Sequence, residues 1–264
     1  MSEVTEYKPG TFCWPELVAS DVDKAKEFYT KLFGWDIEDN PIGEDMVYSM
    51  ANFDGKYLGG LYPMWAEQVE QGIPTHWASY VSVADVDESV KKAQSLGANI
   101  VMQPMDVFDA GRMAVVMDPT GAVFSLWQPL KHIGAQIVNE HGTLVWNELA
   151  TNDTEKAKEF YTELFGWTYD EMDMGGGMTY TAFKNGDWPA AGMMAIGQDM
   201  GDMPPTWSVY FAVNDCDSST EEATNLGGQT IVPPTDIPEV GRFSFLQDPQ
   251  GAVFAIIKLL NQPE

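Results

Sequence analysis

The chain has 264 residues, of which 40 are Asp or Glu and 14 are Lys or Arg, giving a formal net charge of -26. Such an acidic excess repels phosphate backbones and anionic lipid headgroups, which argues against nucleic-acid or membrane-surface binding through a basic patch. At 44% hydrophobic residues the composition is globular, and the length suits one large domain or two ordinary ones.

The N-terminus, Met1 to Tyr7, lacks the basic start and apolar stretch of a secretion signal, and the longest apolar segment, Ala252 to Leu260, is interrupted by Lys258. Two cysteines, Cys13 and Cys216, cannot form a disulfide framework. A cytoplasmic protein is expected.

Phe12 to Val18 alternates as a strand does, and Asp21 follows in position to cap a helix. In Lys24 to Phe33, Ala25, Phe28, Tyr29, Leu32 and Phe33 recur at three- and four-residue spacing, and Gly34 suits a left-handed stop. Three short strands are predicted next: Trp35 to Ile37, Met46 to Phe53 and Tyr57 to Met64. Asp54-Gly55 joins the last two as a hairpin. The unit is βαβββ. Trp77 to Val83 opens a second one, with Asp85 in the capping place. Gln128 to Gly142 has no sustained period and reads as a linker.

The pattern then repeats. WPELVASDVDKAKEFYTKLFGW from Trp14 and WNELATNDTEKAKEFYTELFGW from Trp146 match at 15 of 22 positions with an offset of 132. GRMAVVMDPTGAVF from Gly111 and GRFSFLQDPQGAVF from Gly241 match at 8 of 14 with an offset of 130. Duplication of a whole half follows, with residues 1–131 as a first domain, 132–140 as linker and 141–264 as a second domain.

The βαβββ unit, the helix ending FYTKLFGW and the closing DPTGAVF together resemble the vicinal oxygen chelate superfamily of glyoxalases, bleomycin-resistance proteins and extradiol dioxygenases. The resemblance spans nearly the whole chain, twice. It implies an α+β fold of tandem glyoxalase-like domains, in which paired modules form a curved, incompletely closed sheet around a cavity. It does not fix a reaction, since that superfamily hosts lyases, dioxygenases, isomerases and silent drug binders.

Catalytic relatives hold a divalent metal on the cavity floor. Their first-strand ligand corresponds here to Trp14 and Trp146, fourteen positions before Phe28 and Phe160. Their other ligands align with Ala78 and Ser208, and with Ser125 and Ala255, while the remaining ligand strands, Tyr57 to Met64 and Trp188 to Gly197, contain no Asp, Glu or His. Neither half keeps a usual ligand set, so no metal and no cofactor is expected.

By alternation Glu16 and Glu148 share the cavity face with Trp14 and Trp146, and a carboxylate buried there needs a partner. Arg112 and Arg242 are the candidates, either as oxyanion stabilisers or in a rim salt link. His76, whose counterpart is Thr206, is a candidate base or a hydrogen-bonded surface residue. Trp14, Tyr80, Ser125, Trp127, Trp146 and Tyr210 are the expected ligand wall, which could equally be aromatic core.

Three functions are weighed. The first is metal-free binding of a small aromatic or cationic molecule in one or both cavities. The second is a metal-independent lyase, isomerase or hydroxylase using Glu16 or His76 as base and Arg112 on the oxyanion; the third is a metal-dependent glyoxalase or dioxygenase. A small-molecule ligand is the expected partner, with no nucleic acid and no membrane. A monomer suffices for two complete cavities, and a dimer is left open.

Overall fold

The computed structural model describes residues 2–43, 46–197 and 200–261. After the short β1 (Ser2–Glu3), the first half runs β2 (Thr11–Ala19), α1 (Val22–Phe33), β3 (Asp36–Pro41), β4 (Val47–Phe53), β5 (Lys56–Pro63) and α2 (Ala66–Glu70). It continues through β6 (His76–Ser82), α3 (Val86–Ser95), β7 (Asn99–Val107), β8 (Gly111–Met117) and β9 (Val123–Pro129). The stretch expected as linker carries a short strand, β10 (Ile137–Val138), which pairs antiparallel with β1.

The second half repeats the order: β11 (Leu144–Thr151), α4 (Thr154–Phe165), β12 (Thr168–Asp173), β13 (Thr179–Asn185) and β14 (Trp188–Ala195). It ends with β15 (Thr206–Ala212), α5 (Cys216–Asn225), β16 (Gln229–Ile237), β17 (Gly241–Gln247) and β18 (Val253–Leu259). The fold is α+β, with two tandem domains and two open eight-stranded mixed sheets. Their strand orders are β3-β4-β5-β2-β6-β9-β8-β7 and β12-β13-β14-β11-β15-β18-β17-β16. No helix among the described residues is long and apolar enough to cross a membrane.

Local chemistry accounts for the elements. Asp21 accepts the Lys24 N–H to start α1, and Gly34 ends it at φ 77°, a conformation a side chain would strain. The Asp54-Gly55 hairpin has φ of 49° and 77°, both positive as a two-residue primed turn requires.

The helix faces of the two sheets are buried against each other, and each core is built from both halves. One core joins Phe28, Tyr29, Phe33 and Trp35 of the first half to Phe211, Cys216, Ala223 and Phe254 of the second. Its mirror joins Val81, Val90, Phe124 and Leu126 to Phe160, Tyr161, Trp167 and Trp207.

At the centre of each core the two repeated motifs meet. Tyr29, from FYTKLF, accepts the Trp77 indole N–H at 2.9 Å and donates to Asp248, in the DPQG turn of the other half, at 3.1 Å. Tyr161 does the same with Trp207 at 2.8 Å and Asp118 at 2.7 Å. The tyrosine of one motif is therefore the partner of the aspartate of the other motif, across the halves.

Candidate functional site

The concave faces point away from this shared core. On β2, Leu17 and Ala19 belong to the helix-side core. Alternation therefore places Trp14 and Glu16 on the concave face, and a register shift between Phe12 and Trp14 sets the phase. Glu16 is flanked across the ladder by Gly60 and Ala78, neither of which fills the space above it.

Two tyrosines reach into that space. Tyr48 donates to Glu16 Oε2 at 2.5 Å and Tyr80 to Oε1 at 2.6 Å, while the Trp14 indole N–H donates to Tyr48 Oη at 3.0 Å. Gly60 is required here, because a Cβ at that position would lie 2.0 Å from Tyr48 Oη. Burial raises the pKa of Glu16 above the usual carboxylate value, against the pull of the two phenol donors. The same burial and the neighbouring carboxylate hold Tyr48 and Tyr80 well above an ordinary phenol.

The second half repeats the cluster. Tyr210 donates to Glu148 Oε1 at 2.8 Å and the Trp146 N–H donates to Tyr180 Oη at 3.2 Å. Gly192 pairs with Glu148, and a Cβ there would lie 1.9 Å from Tyr180 Oη. Burial again raises the Glu148 pKa.

Ser125 is buried beside Tyr80 in the β6–β9 register. Trp127 packs edge-on to Tyr80 with centroids 6.4 Å apart, and its indole N–H donates to the His132 carbonyl at 2.8 Å. Phe124 and Phe254, on the opposite phase, pack under the helices of the other half.

The structure separates the arginines from the carboxylates they were expected to meet. Arg112 forms a two-pronged pair with Asp87 of α3 and a further bond to Asp106, both at 2.7 Å to its nearest nitrogen. It shares its face of β8 with Ala114 and Val116, which are core residues on the helix side. Arg242 repeats this with Asp217 and Asp236. Neither guanidinium reaches the concave face, so neither partners Glu16 or Glu148. His76 pairs with Val18 in the register, and its Nδ1 bonds the Pro74 carbonyl at 2.8 Å rather than Glu16.

Three residues of the clusters were not foreseen: Tyr48, Tyr180 and His132. His132 stands edge-on to Trp14 with centroids 4.5 Å apart, also touching Tyr57 and Trp127. Burial lowers its pKa to about 4. Tyr48 and Tyr180 are 132 residues apart, the offset of the repeat, within stretches that otherwise diverge. That coincidence was a usable signal.

As donors for a divalent ion, each cluster offers one carboxylate, phenols hydrogen-bonded within it and an indole that cannot ligate, and the first half adds a single imidazole, His132, packed among Trp14, Tyr57 and Trp127. Among the described residues no group of three or more His, Cys, Asp and Glu is placed to hold a metal. The groups present do not fit one.

Residues 11–126 and 130–256 each match the model of the Glyoxalase/Bleomycin resistance protein/Dioxygenase superfamily, and the chain belongs to that family. CFP32 of Mycobacterium tuberculosis, whose name assigns it provisionally to the glyoxylases, is 44% identical over 98% of both chains. The anthracycline biosynthesis protein DnrV of Streptomyces peucetius is 34% identical over 97% of this chain and 96% of its own. Among solved structures, the Mn(II)-bound glyoxalase from Novosphingobium aromaticivorans superposes with a TM-score of 0.67 at 14% identity, covering 97% of this chain and 84% of its own. That likeness concerns the fold.

Proposed function

We propose that the chain binds a small aromatic or cationic molecule on its concave faces without the metal of its catalytic relatives. The observation that carries this reading is the carboxylate held among aromatic rings in both halves, on the strands where the family's ligands belong. Its bonded partners are tyrosine hydroxyls rather than a lysine or arginine. A buried carboxylate with no cationic partner among the described residues favours a ligand that brings one, and Trp and Tyr faces add attraction for a flat or positive group. Relatives in anthracycline biosynthesis make a fused-ring aromatic a sensible first ligand to try.

A second reading, a metal-independent enzyme with Glu16 as base, draws on the same cluster. A carboxylate whose pKa burial has raised is a better proton acceptor near neutral pH than an ordinary one. Arg112, on the helix side of β8, adds nothing to it, while His76 shares the face of Glu16 one pair along the β2–β6 ladder with its Nδ1 bonded to the Pro74 carbonyl.

Titration with an aromatic cation in the presence and absence of a chelator tests the main reading. Equal affinity in both is expected; affinity lost to the chelator and restored by a divalent ion contradicts it.

A further inference from the structure

The two carboxylate clusters are copies whose surroundings have diverged. In the first half Trp14, Glu16, Tyr80 and Trp127 are 4, 7, 6 and 6% exposed. Ala135 of the inter-half segment packs with them, and its N–H bonds the Cys13 carbonyl at 2.8 Å. In the second half Tyr210 is as buried as Tyr80, at 4% exposed, but Trp146 and Glu148 are only partly buried.

The walls differ as well. Where β8 presents Met113 and Val115, β17 presents Phe243 and Phe245, and Phe245 lies edge-on to Tyr210 with centroids 5.5 Å apart. On the other side of β11 and β15, Met172 of β12 pairs directly with Tyr180, and Tyr180 with Met194 of β14. Directly paired residues of antiparallel strands share a face, so Met172 and Met194 extend the face of Tyr180. The hairpin continues this apolar stretch through Met174 and Met178, joined by a 2.9 Å bond from the Met174 N–H to the Met178 carbonyl. Met172, Met174 and Met178 are 45, 49 and 48% exposed. The positions 132 earlier hold Asn40, Ile42, Met46 and, for Met194, Tyr62, so only Met178 has a methionine counterpart and the other three are particular to the second half.

Clustered exposed apolar groups mark binding surfaces, and a thioether chain adapts its shape to whatever it covers. Charge supplies the second constraint, because Glu148 is bonded to a phenol and the chain carries a net -26.

Resting on the metal-free reading above, we infer that the second half takes the ligand and that the ligand is a planar aromatic cation. Its ring system lies between Phe243 and Phe245 on one side and Met172, Met174 and Met178 on the other, with the positive group toward Glu148. The first half keeps the same cluster as a closed copy.

Proflavine, a flat aromatic cation, tests this by fluorescence anisotropy on the full-length chain, each variant being checked for an unchanged thermal melt. Saturable binding is expected. Glu148→Gln weakens it about tenfold, as loss of one charge-assisted contact does. Combined Met172→Ser, Met174→Ser and Met178→Ser weakens it roughly fivefold through lost apolar contact. Asn40→Ala with Ile42→Ser, at matched positions of the first half, leaves it unchanged, and the anionic anthracene carboxylate does not compete.

Loss confined to Glu16→Gln would overturn the assignment to the second half while leaving metal-free binding standing. Full affinity in the triple methionine variant would overturn the clamp. No saturable binding by the parent chain would remove both the inference and the reading beneath it.

Discussion

Cut at Asn139, the chain yields two fragments that do not fold alone and that regain a cooperative unfolding transition when mixed. The reason is the exchange of cores. An isolated first half would leave Phe124 and Leu126 without Phe160, Tyr161 and Trp207, and would leave Phe28 and Phe33 without Phe211 and Phe254. Each half then presents the apolar side of an eight-stranded sheet to water, and burial of that side is what outweighs the entropy of ordering the chain. Asn139 is a mild place to cut, because it sits in left-handed backbone at φ 63° between β10 and β11. Urea titration followed by near-ultraviolet circular dichroism reads the result. A cooperative transition in either fragment alone would show that its half is independent.

Asp118→Ala destabilises the chain by about 3–5 kcal/mol, because a buried acceptor serving several donors is lost at once. Oδ1 accepts the backbone N–H groups of Thr120, Gly121 and Ala122 and the Thr120 hydroxyl, at 2.7 to 3.0 Å. Oδ2 accepts the Tyr161 hydroxyl, which in turn accepts the Trp207 N–H. Removing the carboxylate leaves the DPTG turn and the tyrosine of the opposite half without their acceptor, at a position only 1% exposed. Tyr161→Phe removes only two of these bonds and is expected to cost less, about 1–3 kcal/mol. Equilibrium unfolding in urea measures both, and equal losses would show that the link between halves, not the turn, dominates.

The repeat, the βαβββ order and the Asp54-Gly55 hairpin were legible because each is written in local spacing: an offset of 132, a helical period and a two-residue turn. The exchange of cores was not, because Phe124 and Phe254 show which side of a sheet they occupy and not which half covers them. The phase of β8 was unreadable for a different reason. Met113, Ala114, Val115 and Val116 are apolar on both faces, so the alternation that would have put Arg112 on the helix side gave no contrast.

At the site, Trp14 and Trp146 came from the resemblance, as the places of the family's first-strand ligand, and Glu16 and Glu148 from alternation with them. Their tyrosine partners come from β4 and β13, distant in sequence and joined only by sheet register, so a reading of one strand at a time missed them. His132 was missed because the inter-half stretch has no period to say which side of the sheet it covers.

The most direct measurement is the metal content of the purified full-length chain after incubation with Ni, Zn, Mn and Fe(II) and desalting. Each concave face offers one carboxylate among phenols and an indole, with a single imidazole besides in the first half, which falls short of a ligand set, so no metal is retained above background. One or two tightly held ions per chain, lost on replacing Glu16 and Glu148 by Gln, would contradict the account and place those carboxylates in a coordination sphere.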